Sequence, residues 1–233
     1  MQAVVLAGGL AKRMHPRTIT VPKSLLEVAG RPFVDWQLER LAASGVRDVV
    51  MCIAHLGDQI RDHVEDGSRF GVRVTWSEEG PELLGTAGAV RAALACLDEE
   101  FLVTYGDSYL PFDYAEPLRI LRDSDDCDGV MAVYKNEGRW DSSNVQTDGH
   151  WVVRYEKGSR DPALDHIDYG ATALRRTVIA RLPECQSLGL DTVQRDLGRR
   201  KRLRACVARD RFFEVGSSEG LAELERYLAQ PMS

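Results

Sequence analysis

Four short, largely apolar runs in the first 105 residues, with helical-period segments between them, constrain the fold more than any other feature. The runs are Gln2–Leu6, Asp48–Ala54, Val72–Trp76 and Phe101–Tyr105. Gln2–Leu6 and Phe101–Tyr105 read as strands buried on both faces, and strands of that kind joined by helices pair in parallel. Val34, Leu38, Leu41 and Ala42 line one face of a helix ending near Gly45, and Asp58–Val64 reads as a second helix. Over Thr86–Leu97, residues Ala87, Val90, Leu94 and Leu97 repeat at helical spacing. The alternation predicts an α/β fold with a doubly wound, mostly parallel, Rossmann-like sheet.

Beyond residue 110 the pattern changes. Gly129–Tyr134, Asn144–Thr147, Trp151–Tyr155 and Tyr169–Leu174 read as strands joined by short turns, and Val178–Leu182 and Asp191–Leu197 as short helices. Arg204–Val207, Phe212–Val215 and a helix over Ser218–Leu228 close the chain. Strands that follow one another without helices predict an inserted, strand-rich part on one side of the sheet. At 233 residues the expectation is a single domain, 1–233, with halves 1–110 and 111–233.

Composition narrows the function. A net charge of −6 disfavours broad electrostatic binding to nucleic acid or an anionic membrane. No apolar stretch approaches the ~18 residues that span a bilayer, and no basic region precedes the first strand, so no secretory leader is expected. Five dispersed cysteines (52, 96, 127, 185 and 206) without C-x-x-C pairing read as reduced thiols of a cytoplasmic protein, with no cysteine zinc site.

In doubly wound folds the ligand lies beyond the carboxyl ends of the strands, so the chemistry is sought in the loops there. Directly after the first strand comes Leu6-Ala7-Gly8-Gly9, then Arg13 and Pro22-Lys23. Glycines at that point let backbone N–H groups turn towards phosphate, and Arg13 and Lys23 add fixed positive charge. The loop is neither G-x-G-x-x-G nor a Walker A sequence. Leu84-Gly85-Thr86-Ala87-Gly88 opens a helix whose N-terminus offers free N–H donors or is simply capped by Thr86. Glu79 and Glu82 upstream read first as surface acids on a loop, with acceptors for a base edge as the other reading. Tyr105-Gly106-Asp107 places an isolated carboxylate at the end of an apolar strand, a position suited to Mg²⁺.

Taken together, these segments resemble the sugar-phosphate nucleotidyltransferases, whose signature is L-A-G-G-x-G-x-R-L-x-P-x-T, then P-K-P, then G-[KR]-P. The chain has Leu6-Ala7-Gly8-Gly9-Leu10-Ala11-Lys12-Arg13-Met14-His15-Pro16-Arg17-Thr18, Pro22-Lys23-Ser24 and Gly30-Arg31-Pro32, with Ala11 for the third glycine and Ser24 for the second proline. The resemblance implies that Arg13 and Lys23 are catalytic. It implies that Leu6, Ala7, Gly8, Gly9, Glu82, Gly85, Thr86 and Gly106 contact the nucleotide. It makes Asp107 a Mg²⁺ ligand, joined by Glu214 of Glu214-Val215-Gly216-Ser217-Ser218-Glu219-Gly220-Leu221, where the family usually has Asp. Asn144, Glu156, Lys157 and Gly170 fall where the family binds the acceptor, Lys157 holding its phosphate.

The reaction so implied joins a nucleoside triphosphate to a sugar 1-phosphate, giving a nucleotide-activated sugar and pyrophosphate with Mg²⁺ as cofactor. The short chain resembles heptose and mannose 1-phosphate guanylyltransferases, which favours GTP and is compatible with a homo-oligomer. Two other readings stand beside it: a nucleotide-sugar sensor without turnover, and nucleotidyl transfer to a non-sugar phosphate. Arg199-Arg200-Lys201-Arg202 reads as a solvated turn, and Asp123-Ser124-Asp125 as a helix end.

Overall fold

The computed structural model of the chain describes residues 1–9, 14, 18–80 and 82–229. Its first half contains β1 (Gln2–Leu6), a small hairpin of β2 (Glu27–Val28) and β3 (Arg31–Pro32), α1 (Phe33–Ala43), β4 (Asp48–Ile53), α2 (Gly57–Val64), β5 (Arg73–Glu78), α3 (Gly85–Ala92), β6 (Glu100–Tyr105) and β7 (Ser108–Tyr109). The second half adds α4 (Ala115–Arg122), β8 (Gly129–Lys135), β9 (Val145–Asp148), β10 (Trp151–Tyr155), β11 (His166–Arg175), α5 (Arg176–Ala180), α6 (Leu190–Arg199), β12 (Leu203–Ala208), β13 (Phe213–Glu214) and α7 (Ser218–Leu228).

Among the described residues the main sheet has nine strands in the order β5-β4-β1-β6-β11-β8-β12-β10-β9. The expected parallel ladders join β5, β4, β1 and β6. The second half enters through β11, which runs antiparallel to both β6 and β8, while β8 and β12 pair in parallel. This is the α/β architecture the alternation predicts, with the strand-rich part continuing the same sheet.

Both faces of the sheet are covered, as the two-sided apolar runs require. Ala3 and Val5 of β1 join a core with Val34, Leu38 and Ile60 of α1 and α2, whereas Val4 between them joins Ala87, Val90 and Val193 of α3 and α6. Period-two alternation thus divides one strand between two helical layers. A smaller cluster packs Val28 and Phe33 against Phe213, Val215, Leu221 and Leu224, seating α7 beside the first-half hairpin.

The helix read over Thr86–Leu97 is shorter than its periodicity suggests. It closes at Ala92, gives one 3-10 turn over Leu94–Cys96, and becomes extended at Leu97 so that the chain can enter β6. Leu97 stays buried because that turn keeps it on the same apolar layer. The long loop from Ala7 to Pro32 also contains a 3-10 turn, Lys23–Leu25, and the β2–β3 hairpin. Helix α4 was not read from the sequence. β11 is longer than its predicted core, reaching back to His166 across an irregularity between Asp168 and Thr172.

Candidate active site

A cavity of about 220 Å³ opens where β1 and β6 end, lined by Leu6, Ala7, Gly8 and Gly9 on one side and Tyr105, Gly106 and Asp107 on the other. Close backbone approach explains the glycines. Gly106 N–H donates to Leu6 O at 2.9 Å, and a Cβ on Gly106 would lie 3.0 Å from Ala7 Cα. A Cβ on Gly8 would meet Glu79 Oε1 at 2.9 Å, whereas Gly9 has open space where its Cβ would stand. Ser24 Oγ donates to Gly106 O at 3.1 Å and carries the neighbouring Lys23 to the same place. Lys23 Nζ lies 2.6 Å from Asp107 Oδ2. Arg13, the other expected catalytic cation, lies outside the described residues.

The Leu84–Gly88 turn reaches the cavity through Gly85 and Thr86, but not in the way a free helix end would. The N–H groups of Ala87 and Gly88 donate to Leu188 O at 2.8 and 3.2 Å, and Leu188 N–H donates to Leu84 O at 2.8 Å. Thr86 Oγ1 accepts from Leu190 N–H at 2.7 Å instead of capping its own helix. The expected free donors of this helix are therefore partly spent on second-half backbone. Gly85 has φ +70°, and a Cβ there would come within 2.7 Å of Leu188 O.

Glu82 is exposed and is not among the residues that line the cavity. Glu79 is among them. Its Oε2 accepts from Leu84 N–H at 2.8 Å, which leaves Oε1 against Gly8. Burial raises its pKa above the ordinary carboxylate range, partly offset by that hydrogen bond. A carboxylate immediately before Gly80-Pro81 is visible in the sequence, but nothing there separates it from Glu82.

Asp107 and Glu214 come from adjacent segments. β13 pairs antiparallel with β7, Glu214 opposite Ser108, and Val215 N–H donates to Asp107 O at 2.8 Å. A Cβ on Gly216 would be 3.8 Å from Lys23 Nζ and 3.9 Å from Glu214 Oε2, so the glycine keeps this corner open. Among the described residues no three or more His, Cys, Asp or Glu side chains form a metal cage. Two hard oxygen donors with the rest left to phosphate and water are what Mg²⁺ takes, so these residues fit the ion the resemblance implies.

The second-half residues form an interlocked frame. Asn144 Oδ1 accepts from Asp168 N–H at 2.8 Å, Tyr155 OH donates to Asp168 Oδ2 at 2.8 Å, and Gly170 N–H donates to Asp168 Oδ1 at 3.0 Å. Gly170, at φ +91°, would bring a Cβ to 3.6 Å from Tyr105 and Ser108, so the frame abuts the end of β6. Burial pushes the Asp168 carboxyl up, and the hydrogen bonds from Tyr155 and Gly170, with the charge of Lys157, draw it part of the way back. Lys157 Nζ lies 5.8 Å from the Tyr155 ring centroid. Glu156 takes a different partner from the one expected: both its oxygens accept from the Arg154 guanidinium at 2.9 Å. Sequence reasoning missed Tyr105, whose buried hydroxyl has no partner among the described residues. Burial, with Asp168 and Asp107 nearby, holds its proton on.

The sequence profile of the nucleotidyl transferase family matches residues 2–230. The chain belongs to that family. An N-acetylmuramate alpha-1-phosphate uridylyltransferase of Neisseria meningitidis is 44% identical to this family member over 115 residues, which cover 49% of this chain and 50% of that protein. A D-glycero-alpha-D-manno-heptose 1-phosphate guanylyltransferase of Campylobacter jejuni is 24% identical over 219 residues, covering 94% and 96%. The chain spans about half the length of the first curated relatives it matches. Among solved structures, HddC from Yersinia pseudotuberculosis complexed with GMP-PN superposes with a TM-score of 0.78 at 25% identity, over 97% of this chain and 99% of that one.

Proposed function

We propose that this chain transfers the nucleotidyl group of GTP to a sugar 1-phosphate, releasing pyrophosphate, with Mg²⁺ as cofactor. The observation that carries the reading is the convergence of the glycine-lined backbone at Gly8, Gly9 and Gly106 with the Lys23–Asp107 pair, 2.6 Å apart, in one cavity. An oxygen of the acceptor phosphate attacks the α-phosphorus, the bond to the β-phosphate bridge breaks, and pyrophosphate leaves. The attacking group is already anionic, so no general base is required. Positioning and charge stabilisation then supply most of the acceleration. Asp107 and Glu214 would hold Mg²⁺, which supplies positive charge beside the triphosphate. Lys23 supplies a fixed ammonium at the same corner, and Lys157 a point charge for the acceptor phosphate.

Glu79 supports guanine as the base. Guanine presents adjacent donors, N1–H and N2–H, to a single carboxylate oxygen, whereas uracil presents one donor flanked by two carbonyl oxygens that a carboxylate repels. With Oε2 already accepting from Leu84, Oε1 is the oxygen left at the cavity wall.

The test is pyrophosphate release from GTP and UTP against a panel of sugar 1-phosphates, with and without Mg²⁺. Release with GTP and one or a few acceptors supports the proposal. Tight nucleotide-sugar binding with no release across the panel would favour a sensor. Turnover confined to UTP would overturn the base assignment alone.

A further inference from the structure

The basic run at the end of α6 has a structural partner that its sequence does not reveal. Between α5 and α6 lies a groove of about 510 Å³, within the range of small-molecule sites. Its apolar floor comes from Val178, Leu182, Leu188 and Val193, and its rim carries Arg181, Arg195, Arg199 and Arg200. Two of these guanidinium groups are neutralised: Arg195 by Asp191 at 3.1 Å and Arg200 by Asp196 at 2.5 Å. Arg181 and Arg199 have no acidic partner within ion-pair distance among the described residues. In a chain of net charge −6, two uncompensated guanidinium groups over an apolar floor form a local site for an anion that also carries apolar surface. Planar, multi-donor guanidinium groups suit phosphate oxygens.

The groove also touches the candidate active site from behind. Leu188, part of its floor, is the residue whose backbone bonds to Leu84, Ala87 and Gly88. Two residues on, Leu190 N–H holds Thr86 Oγ1. Arg91 of α3 ties the same segment down, donating to Leu182 O at 3.1 Å and to Glu184 at 2.7 Å. A ligand that shifts Leu188 therefore shifts the turn that lines the nucleotide cavity.

We propose that the α5–α6 groove binds a phosphorylated small molecule through Arg181 and Arg199, and that its occupancy alters nucleotide affinity through Leu188. The coupling rests on the nucleotide reading above; the anion site does not. Calorimetric titration of the full chain with inorganic pyrophosphate tests the site, using wild type, Lys23→Ala and the double variant Arg181→Ala/Arg199→Ala. Both arginines are exposed, so the double variant should fold. The expected result is two classes of site, the double variant weakening one at least roughly tenfold and Lys23→Ala weakening the other. An isotherm unchanged in the double variant overturns the groove site. Loss of binding in the double variant alone, with Lys23→Ala equal to wild type, supports the groove and fails the active-site reading instead.

Coupling is then read in the Lys23→Ala background with guanosine, which carries no phosphate to compete. Saturating pyrophosphate should change guanosine affinity roughly fivefold or more, and the change should vanish when Arg181 and Arg199 are also replaced. Guanosine binding indifferent to pyrophosphate overturns the coupling. Single-stranded RNA binding more tightly than pyrophosphate, and lost in the same double variant, overturns the small-molecule assignment.

Discussion

The two halves of the chain build their surfaces at the end of β6 by different means. In the first half the walls at Gly8, Gly85 and Gly106 are backbone, held close because side chains are absent. In the second half, Asn144 and Tyr155 bond Asp168 in a frame of side chains that lies outside the cavity lining and abuts the end of β6 at Gly170. The difference teaches which part of a substrate each half can discriminate. On the function proposed above, backbone N–H groups would serve the phosphate that every nucleoside triphosphate shares, whereas a rigid frame of side chains would match one arrangement of hydroxyls and reject others.

Breaking the comparison at its centre gives the largest effect. Lys23→Ala should lower kcat on the order of 10²-fold or more, the scale for one preorganised charge at a reacting centre, with a much smaller change in triphosphate Kd. An unchanged kcat in a folded variant removes Lys23 from the chemistry. Lys157→Ala should act on the other half alone, raising acceptor KM roughly ten- to a hundredfold, since a hydrogen bond to a charged group is worth about 1.5–3 kcal/mol. If it weakens triphosphate binding instead, the division between the halves is wrong.

Glycine replacements sharpen the contrast through stability. Gly85→Ala imposes a left-handed conformation costing about 1–2 kcal/mol and adds a clash with Leu188 O, so it should lower both Tm and triphosphate affinity. Gly149→Ala, left-handed at φ +59° but in open space, should show only the backbone cost and leave both substrates untouched. Equal losses at the two positions would mean that the approach to Leu188 is not limiting.

Two pH effects follow, one in each half. Glu79 has a raised pKa and would accept from guanine as a carboxylate, so preference for GTP over UTP should fall as pH drops through the range just above that of ordinary carboxylates. The Glu79→Gln variant should lose that pH dependence. Asp168 also has a raised pKa, so the folded chain binds its proton more tightly than the unfolded chain does. Its contribution to stability therefore declines as pH rises above the ordinary carboxylate range, and Asp168→Asn should flatten Tm against pH there. The smallest effect is expected at Glu156, exposed and paired with Arg154: Glu156→Gln should leave Tm and both KM values unchanged.

Legibility followed the same boundary. The parallel ladders and the glycine loop were readable because burial on both faces and close backbone approach restrict residue type directly, at Val4 and Gly106 for example. The place of Glu79 in the cavity lining was not, because it depends on one backbone hydrogen bond from Leu84 that no periodicity encodes. The donors of Ala87 and Gly88 were misjudged for a related reason: their acceptor, Leu188, lies about 100 residues away in sequence. Glu156 looked like a ligand for sugar hydroxyls because its partner, Arg154, sits two residues away along an irregular strand edge.

The position of β11 has a consequence for how the chain is made. β6 is complete at residue 105, but the strand that covers its free edge ends at residue 175. At synthesis rates of about 5–20 residues per second, that edge waits on the order of 4–14 s for its partner. Phe101, Leu102 and Val103 are fully buried in the finished sheet, so for those seconds a nascent chain presents an apolar, hydrogen-bond-hungry strand. Synonymous changes that slow translation between residues 105 and 175 should therefore lower the yield of intact protein more than the same changes placed after residue 175.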